Sequence, residues 1–274
     1  MYLYRHSHNG AVPSGLEAAP RRHQLYIDLA TPTLVHAAMD IKNAHISIAR
    51  QAILLILTHR AHLPSAHSLD RLLLLYFLSY YQNPTVTIIQ VARTFEFYLQ
   101  TDALDQGEAL ASHLFGLAYA TVLRSHLYPA IPQPFCITLI HDDTTLIAPP
   151  FQPTQTRPQP PTSPNELDPH NTPLPYAIQL LETILRDIFR CELATGKTHL
   201  LQRPLPPTHQ CNLQTLMHLF PTGTSITTTH IILAGIPIMT HGSQSHALTP
   251  ILSKFAKFTA LLLSIPALDM QLSL

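Results

Sequence analysis

Three aspartates stand out in a chain that has few acids. Asp40 closes an apolar run that begins at Leu34. Asp142 and Asp143 are adjacent between the runs Phe135–Ile140 and Thr144–Ile147. A carboxylate at the end of an apolar strand is costly unless it is solvated, paired or bound to a cation. Two or three carboxylates converging at strand ends suit Mg²⁺, which takes hard oxygen ligands and keeps room for water and phosphate. Two such ions about 4 Å apart activate an attacking hydroxyl and stabilise the leaving oxygen of a phosphoryl transfer. Neighbouring side chains on a strand point to opposite faces, so only one of Asp142 and Asp143 shares an ion with Asp40 unless the turn bends them together. By spacing alone, the pair also suits a hydrophilic turn and Asp40 an unrelated strand end.

Other chemistries find less support. Cys136, Cys191 and Cys211 are scattered, match no zinc spacing and cannot build a disulfide framework. A reducing, intracellular setting is therefore expected. Of the 18 histidines, His59 and His62 share a helix face, but no Cys or Glu completes a ligand set. Lys+Arg and Asp+Glu both number 16, so no general basic coat for nucleic acid exists, though a local groove is compatible. The longest apolar runs, Ala52–Leu57, Leu72–Leu78 and Ala260–Leu268, are short of the ~20 residues that span a bilayer.

The elements that must position the aspartates follow from periodicity. Leu34–Ile41 reads as a buried strand, and Ala49, Ala52, Ile53, Ile56 and Leu57 recur at helical spacing. Leu69, Leu72, Leu73, Tyr76, Phe77 and Tyr80 mark a second helix, with Ser65 or Ser68 as cap. Thr85–Ile89 and the alternation of Phe95, Phe97 and Leu99 with Thr94, Glu96 and Tyr98 predict a hairpin. Leu110, Leu114, Leu117, Ala118 and Val122 mark a third helix, and Ile178, Leu181, Leu185, Ile188 and Phe189 a fourth. Asp142–Asp143 falls at the tip of a tight hairpin. Cys191–Leu193 and Thr198–Leu201 flank a turn at Gly196–Lys197, and Thr227–Leu233 and Ile236–Met239 form a late hairpin around Gly235. Residues 1–24 read as a loose leader. Residues 149–175, with ten of the 25 prolines, read as a disordered insertion in a domain spanning 25–250, and 251–274 as a helical tail. The order of elements is α+β, a few strands covered by helices.

Five segments, in order, resemble the blocks of reverse transcriptases, closest to those of retroelements lacking long terminal repeats. They are Asp40–Arg50 (DIKNAHISIAR), Asp105–Phe115 (DQGEALASHLF), Ile140–Ile147 (IHDDTTLI), Ala194–Leu201 (ATGKTHLL) and Leu233–Ile238 (LAGIPI). Together they cover about residues 30–240. The resemblance implies a polymerase palm, a small antiparallel sheet covered by helices. With 39 residues ahead of Asp40 and no clear thumb after Pro266, fingers and thumb are expected to be largely missing. It also implies two Mg²⁺ ions on Asp40, Asp142, Asp143 and the Ile41 carbonyl. Gln106 and Gly107 would face the incoming nucleotide and template, and His45 the sugar. Lys197 would face the triphosphate and Gly235 the primer end. The implied partners are an RNA template, a DNA primer, deoxynucleoside triphosphates and other parts of a retroelement polyprotein, inside the nucleus or cytoplasm. His45 replaces an aromatic residue of the family, and Ile140 and His141 replace the residues before the aspartate pair. Two readings follow: an RNA-directed DNA polymerase of a retrotransposon, or a catalytically dead palm remnant that binds RNA or protein at most.

Overall fold

A computed structural model describes residues 15–29, 33–91, 93–105, 108, 110–131, 136–140, 142–152, 159–203, 213–233 and 236–240, with 249, 253, 256 and 257 beyond them. The helices are α1 (Gly15–Leu29), α2 (Ala44–Ser47), α3 (Arg50–His62), α4 (Ser68–Tyr81), α5 (Ala111–Val122), α6 (Tyr128–Ala130) and α7 (Pro173–Ile184). The strands are β1 (Val35–Met39), β2 (Thr85–Val91), β3 (Thr94–Gln100), β4 (Cys136–Ile140), β5 (Asp143–Ala148), β6 (His199–Gln202), β7 (Ser225–Thr227), β8 (His230–Leu233) and β9 (Ile236–Met239).

Five strands form the central sheet in the order β4-β5-β1-β6-β7. All neighbours are antiparallel except β6 and β7. β1 lies in the middle, and all five of its residues are buried, as its unbroken apolar character requires. Side chains alternate between the two faces of a strand. Val35, Ala37 and Met39 therefore share one face with Ile137, Leu139, Leu146, Ala148 and Leu200. That face belongs to the main core, with Leu57 of α3, Phe115 and Tyr119 of α5 and Leu181 of α7. The opposite face carries His36, Ala38 and Asp40 of β1. There Ala38, Ile140 and Leu201 join a smaller core with Ala19 and Ile27 of α1 and Ile231, Leu233 and Ile238 of the β8–β9 hairpin.

Both long buried helices relax into π turns, α5 over Leu123–Leu127 and α7 over Leu185–Phe189. Leu123, Leu127, Leu185 and Phe189 stay buried through these turns, so each widened segment keeps its apolar face on the core. The buried Tyr119 hydroxyl meets the Thr144 hydroxyl at 2.7 Å, which satisfies both groups and ties α5 to β5.

Several expectations need correction. The leader is not loose from Gly15 onward: α1 occupies Gly15–Leu29 with Pro20 inside it. Proline removes one intrahelical bond, and the packing of Ala19, His23 and Ile27, all fully buried or nearly so, compensates. Gln24 also closes onto the last strand: its amide donates to the Met239 carbonyl at 2.8 Å, and the Met239 N–H donates to its carbonyl at 2.9 Å. The Pro-rich stretch 149–175 is not free chain where it is described. Gln152 N–H donates to Asn171 O at 2.7 Å, and the Asp168 carboxylate accepts from the N–H groups of His170 and Asn171 at 2.9 and 2.8 Å. Pro173 and Pro175 open α7, where an N–H has no helical partner to lose. α4 is capped by His67 rather than Ser65 or Ser68: the His67 side chain accepts from Leu69 N–H, and the Asp70 carboxylate accepts from His67 N–H. β7 is a separate strand parallel to β6, where a hairpin strand from Thr227 was expected. The tail 251–274 lies outside the described residues apart from 253, 256 and 257. No helix among the described residues is long and apolar enough to cross a membrane.

Candidate functional site

The site forms where the strands of the open sheet face end. Met39 of β1 pairs with Thr144 of β5, so the next residue, Asp40, comes opposite Asp143. On the other side Ala38 pairs with His199 of β6, and continuing that register brings Asp40 opposite Lys197. Residues opposite each other in adjacent strands present side chains on the same face. Asp40 thus stands between a carboxylate and an ammonium, and the Lys197 Nζ lies 2.5 Å from Asp40 Oδ2. Asp143 begins β5 opposite Ile140, and Asp142 is the turn residue before it. A cavity of about 180 Å³ opens over this row. Asp40, Asp143 and Lys197 line it together with Ala38, Thr145 and His199, and Ile232 and Leu233 of β8 form an apolar wall. Ala38 leaves the floor open because a methyl fills so little of it.

The backbone under Lys197 is held at several points. Ala194 N–H donates to Asp40 O and Lys42 N–H to Glu192 O, both at 2.8 Å, closing the bridge between Ile41 and Leu193. That bridge makes no use of the Ile41 carbonyl. Lys197 N–H donates to Ala194 O at 3.0 Å. The turn passes through Gly196 at φ 77°, and Gly223 at φ 85° lies against it. A Cβ on Gly223 would lie 3.0 Å from Gly196 N, so any other residue would crowd this approach as well as strain the positive φ. His199 Nδ1 and Ser225 Oγ are 2.6 Å apart, linking β6 to β7 beside the cavity.

The electrostatics favour a cation here. Lys197 is held above the ordinary lysine range, first by its hydrogen bond to Asp40 and by that residue's charge, with smaller contributions from Asp142 and Asp143. All three carboxylates therefore act on one ammonium. Among the described residues, however, no three His, Cys, Asp or Glu side chains lie close enough together to hold a metal ion. The donors that share the cavity, Asp40 and Asp143, are of the hard-oxygen type that Mg²⁺ takes. Asp142 is not among the cavity residues.

Other residues singled out by sequence lie elsewhere. Ile41 is buried at 1% exposure. His45 does not line the cavity. Its Nε2 lies 3.2 Å from Ser112 Oγ, its ring centroid is 5.7 Å from that of Phe115, and its carbonyl accepts from Leu104 N–H at 2.7 Å. It links α2 to α5 and to the segment leading into residues 106 and 107. Gln106, Gly107 and Gly235 lie outside the described residues. Lys42 pairs with Glu192 at 3.6 Å on the surface. Arg50 is no surface charge: it is buried at 7% exposure. Its guanidinium donates to Ala103 O at 2.6 Å, Asn83 O at 3.3 Å and Thr85 Oγ1 at 3.1 Å, and lies 4.9 Å from the centre of the Tyr81 ring. Glu108 accepts from the hydroxyls of Tyr76 and Tyr81. Thr145 and His199 were missed. Each follows a singled-out residue by two positions, Asp143 and Lys197, and the period of a strand was the signal that could have found them.

The fold is mixed α+β and polymerase-like, of the kind seen in reverse-transcriptase-related enzymes. Among the solved structures it resembles are telomerases. That of Candida albicans, in complex with a fragment of telomeric RNA, aligns with TM-score 0.50 and 13% identity over 84% of this chain. Apo telomerase from Candida tropicalis aligns with TM-score 0.48 and 8% identity over 81%. This chain spans 33% and 34% of the lengths of those two chains. No protein-family model matches the sequence, and no curated protein matches it. At such identities the likeness describes the fold, and function has to be argued from the site.

Proposed function

We propose that this chain is the palm of an RNA-directed DNA polymerase of retrotransposon type, which extends a DNA primer on an RNA template with deoxynucleoside triphosphates. The observation that carries the reading is the meeting of Asp40 and Asp143 across β1 and β5 in one cavity, on a polymerase-like fold. The RNA fragment in the Candida albicans telomerase structure supports RNA as the template class. By the resemblance Asp40, Asp142, Asp143 and the Ile41 carbonyl would hold Mg²⁺, which would supply hydroxyl activation and charge neutralisation at the triphosphate. The chain's own groups orient the reaction, because phosphoryl transfer is mostly positioning and electrostatics. Lys197 neutralises the leaving pyrophosphate or gives it a proton. The wall formed by Ile232 and Leu233 holds the primer end against the carboxylates, a role the resemblance also gives to Gly235. By the resemblance Gln106 and Gly107 would face the nucleotide and template.

Primer extension on an RNA template with Mg²⁺ tests this, comparing the chain with Asp142→Ala. Extension that disappears in the variant supports the reading, and equal signals from both proteins overturn it. A second reading, a palm remnant that binds RNA without catalysis, is favoured by one observation: among the described residues no three metal-type side chains converge. Retention of labelled RNA in a gel with no extension by either protein selects it.

A further inference from the structure

We infer that the Thr145 hydroxyl positions the primer end, donating to the terminal 3′-hydroxyl while that hydroxyl donates to the Asp143 carboxylate. This rests on the reading of the cavity as the active site of a palm. Thr145 is fully buried, and among the described residues its Oγ1 has no hydrogen-bond partner. An orphaned hydroxyl inside a fold is costly, and native structures seldom keep one without a partner of some kind. The other buried orphans among the described residues are ring nitrogens of His23 and His36, which do not line the cavity. Thr145 does line it, so a ligand there can supply the missing partner.

The sheet register shows what shape of ligand fits. Thr145 is paired with Thr138 of β4 on one side and with Ala38 of β1 on the other, and beyond Ala38 comes His199 of β6. Ala38 puts only a methyl between two polar side chains, which leaves a gap over the middle strand. Thr145 and His199 flank that gap two strand spacings apart, about 10 Å. A sugar ring fills such a gap: its C–H edge suits the wall of Ile232 and Leu233, and its oxygens suit the polar flanks. Ser225 takes up His199 Nδ1, which leaves Nε2 for a sugar or phosphate oxygen. Along β5, Asp143 precedes Thr145 by two residues, so their side chains leave the same face about 7 Å apart. A hydroxyl midway comes into reach of both with a small lean from each. It accepts from the Thr145 O–H and donates to Asp143, whose carboxylate has lone pairs for several donors.

The probe is a fluorescently labelled DNA primer annealed to an RNA template, with no divalent ion present, and anisotropy reads its binding to the full chain. Two primers are compared, one ending in a 3′-hydroxyl and the other in a 2′,3′-dideoxy sugar. Their phosphates are the same, so the difference between them reports the hydroxyl. The parent is expected to bind the hydroxyl end about fivefold more tightly, the worth of one ordinary hydrogen bond. Thr145→Val keeps the shape and removes the hydroxyl. It should lose the preference and melt at the parent's temperature or above, because an orphaned group has gone. Thr145→Ser should restore the preference. A valine variant that melts lower and keeps the preference overturns the inference, since the hydroxyl would then be a structural group satisfied by water. Equal weakening on both primers overturns it too, because the cavity's shape rather than the hydroxyl would be the cause. The same holds if the parent binds both ends equally. Absence of primer binding in every protein overturns the palm reading beneath it.

Discussion

Arg50 is 7% exposed, and its guanidinium donates to two carbonyls and a hydroxyl while lying beside Asp105 at 3.8 Å. Its own N–H donates to Asp102 Oδ1 at 2.6 Å, and the same oxygen accepts from Ala103 N–H at 3.0 Å. Ala103 sits at φ 72°, a strained position for a residue with a Cβ, and the Arg50 bond to its carbonyl helps to hold it there. Arg50→Ala would leave the carbonyl of buried Ala103 without this donor, and should cost about 2 kcal/mol in denaturant unfolding. Arg50→Lys should recover little, because a point ammonium cannot reach three acceptors with a planar fork. Full recovery by lysine would show that charge alone matters. Spacing could not show this burial. Arg50 follows an apolar run and opens a helix, as many surface arginines do, and its partners lie 33 to 53 positions later.

Among the elements, the β2–β3 hairpin is the clearest case of a pattern that was read correctly and packed unexpectedly. The register pairs Val86 with Leu99, Ile88 with Phe97 and Gln90 with Phe95. One face therefore carries Val86, Ile88, Phe95, Phe97 and Leu99. Alternation of this kind ordinarily marks a strand with one face buried. Here those five side chains are 58% to 69% exposed. A two-stranded ribbon with such a face is poorly stable alone and invites association. The chain should self-associate as its concentration rises, and Phe97→Lys should lower the weight-average mass seen by light scattering with the far-ultraviolet spectrum unchanged. The same mass for both proteins would remove the face as the cause. The aspartate hairpin was equally legible, because β4 and β5 are apolar runs on either side of two acids. β7 was not: three residues pairing in parallel with β6 carry too little pattern to announce a strand.

For the whole molecule, the joint between α1 and the open sheet face controls how stability varies with pH. His23 of α1 is fully buried beside His36 of β1, their ring centroids 6.1 Å apart. Both ring nitrogens of His23, and Nδ1 of His36, lack hydrogen-bond partners. Desolvation first, then the charges of His36 and Arg22, push His23 from 6.5 down to about 3. Desolvation, then Arg203, pushes His36 down to about 4. The unfolded chain binds these two protons near pH 6.5, whereas the folded chain refuses them until far lower. Their contribution is therefore complete above pH 6.5 and is lost as pH falls. The loss reaches up to about 2.7 kcal/mol per pH unit where both sites are protonated only in the unfolded chain. The double variant His23→Leu, His36→Leu should flatten the dependence of the urea midpoint between pH 6 and 4, and an unchanged slope would refute this account. At neutral pH the double variant should be as stable as the parent or more so, because it removes buried nitrogens that lack partners.

The sequence by itself determined the α+β alternation, the buried central strand, the three hairpins and the strand-end positions of Asp40 and Asp143. These depend on local period and on where a charge interrupts an apolar run. Only the tertiary structure decided which groups meet. That Lys197 rather than a third carboxylate lies on Asp40 follows from the β1–β6 register and from Gly223 against Gly196. The burial of His23 and the ordering of the Pro-rich flank around Asp168 likewise depend on contacts between distant segments. Periodicity reports one segment's own faces, whereas register and burial depend on which other segment lies against them.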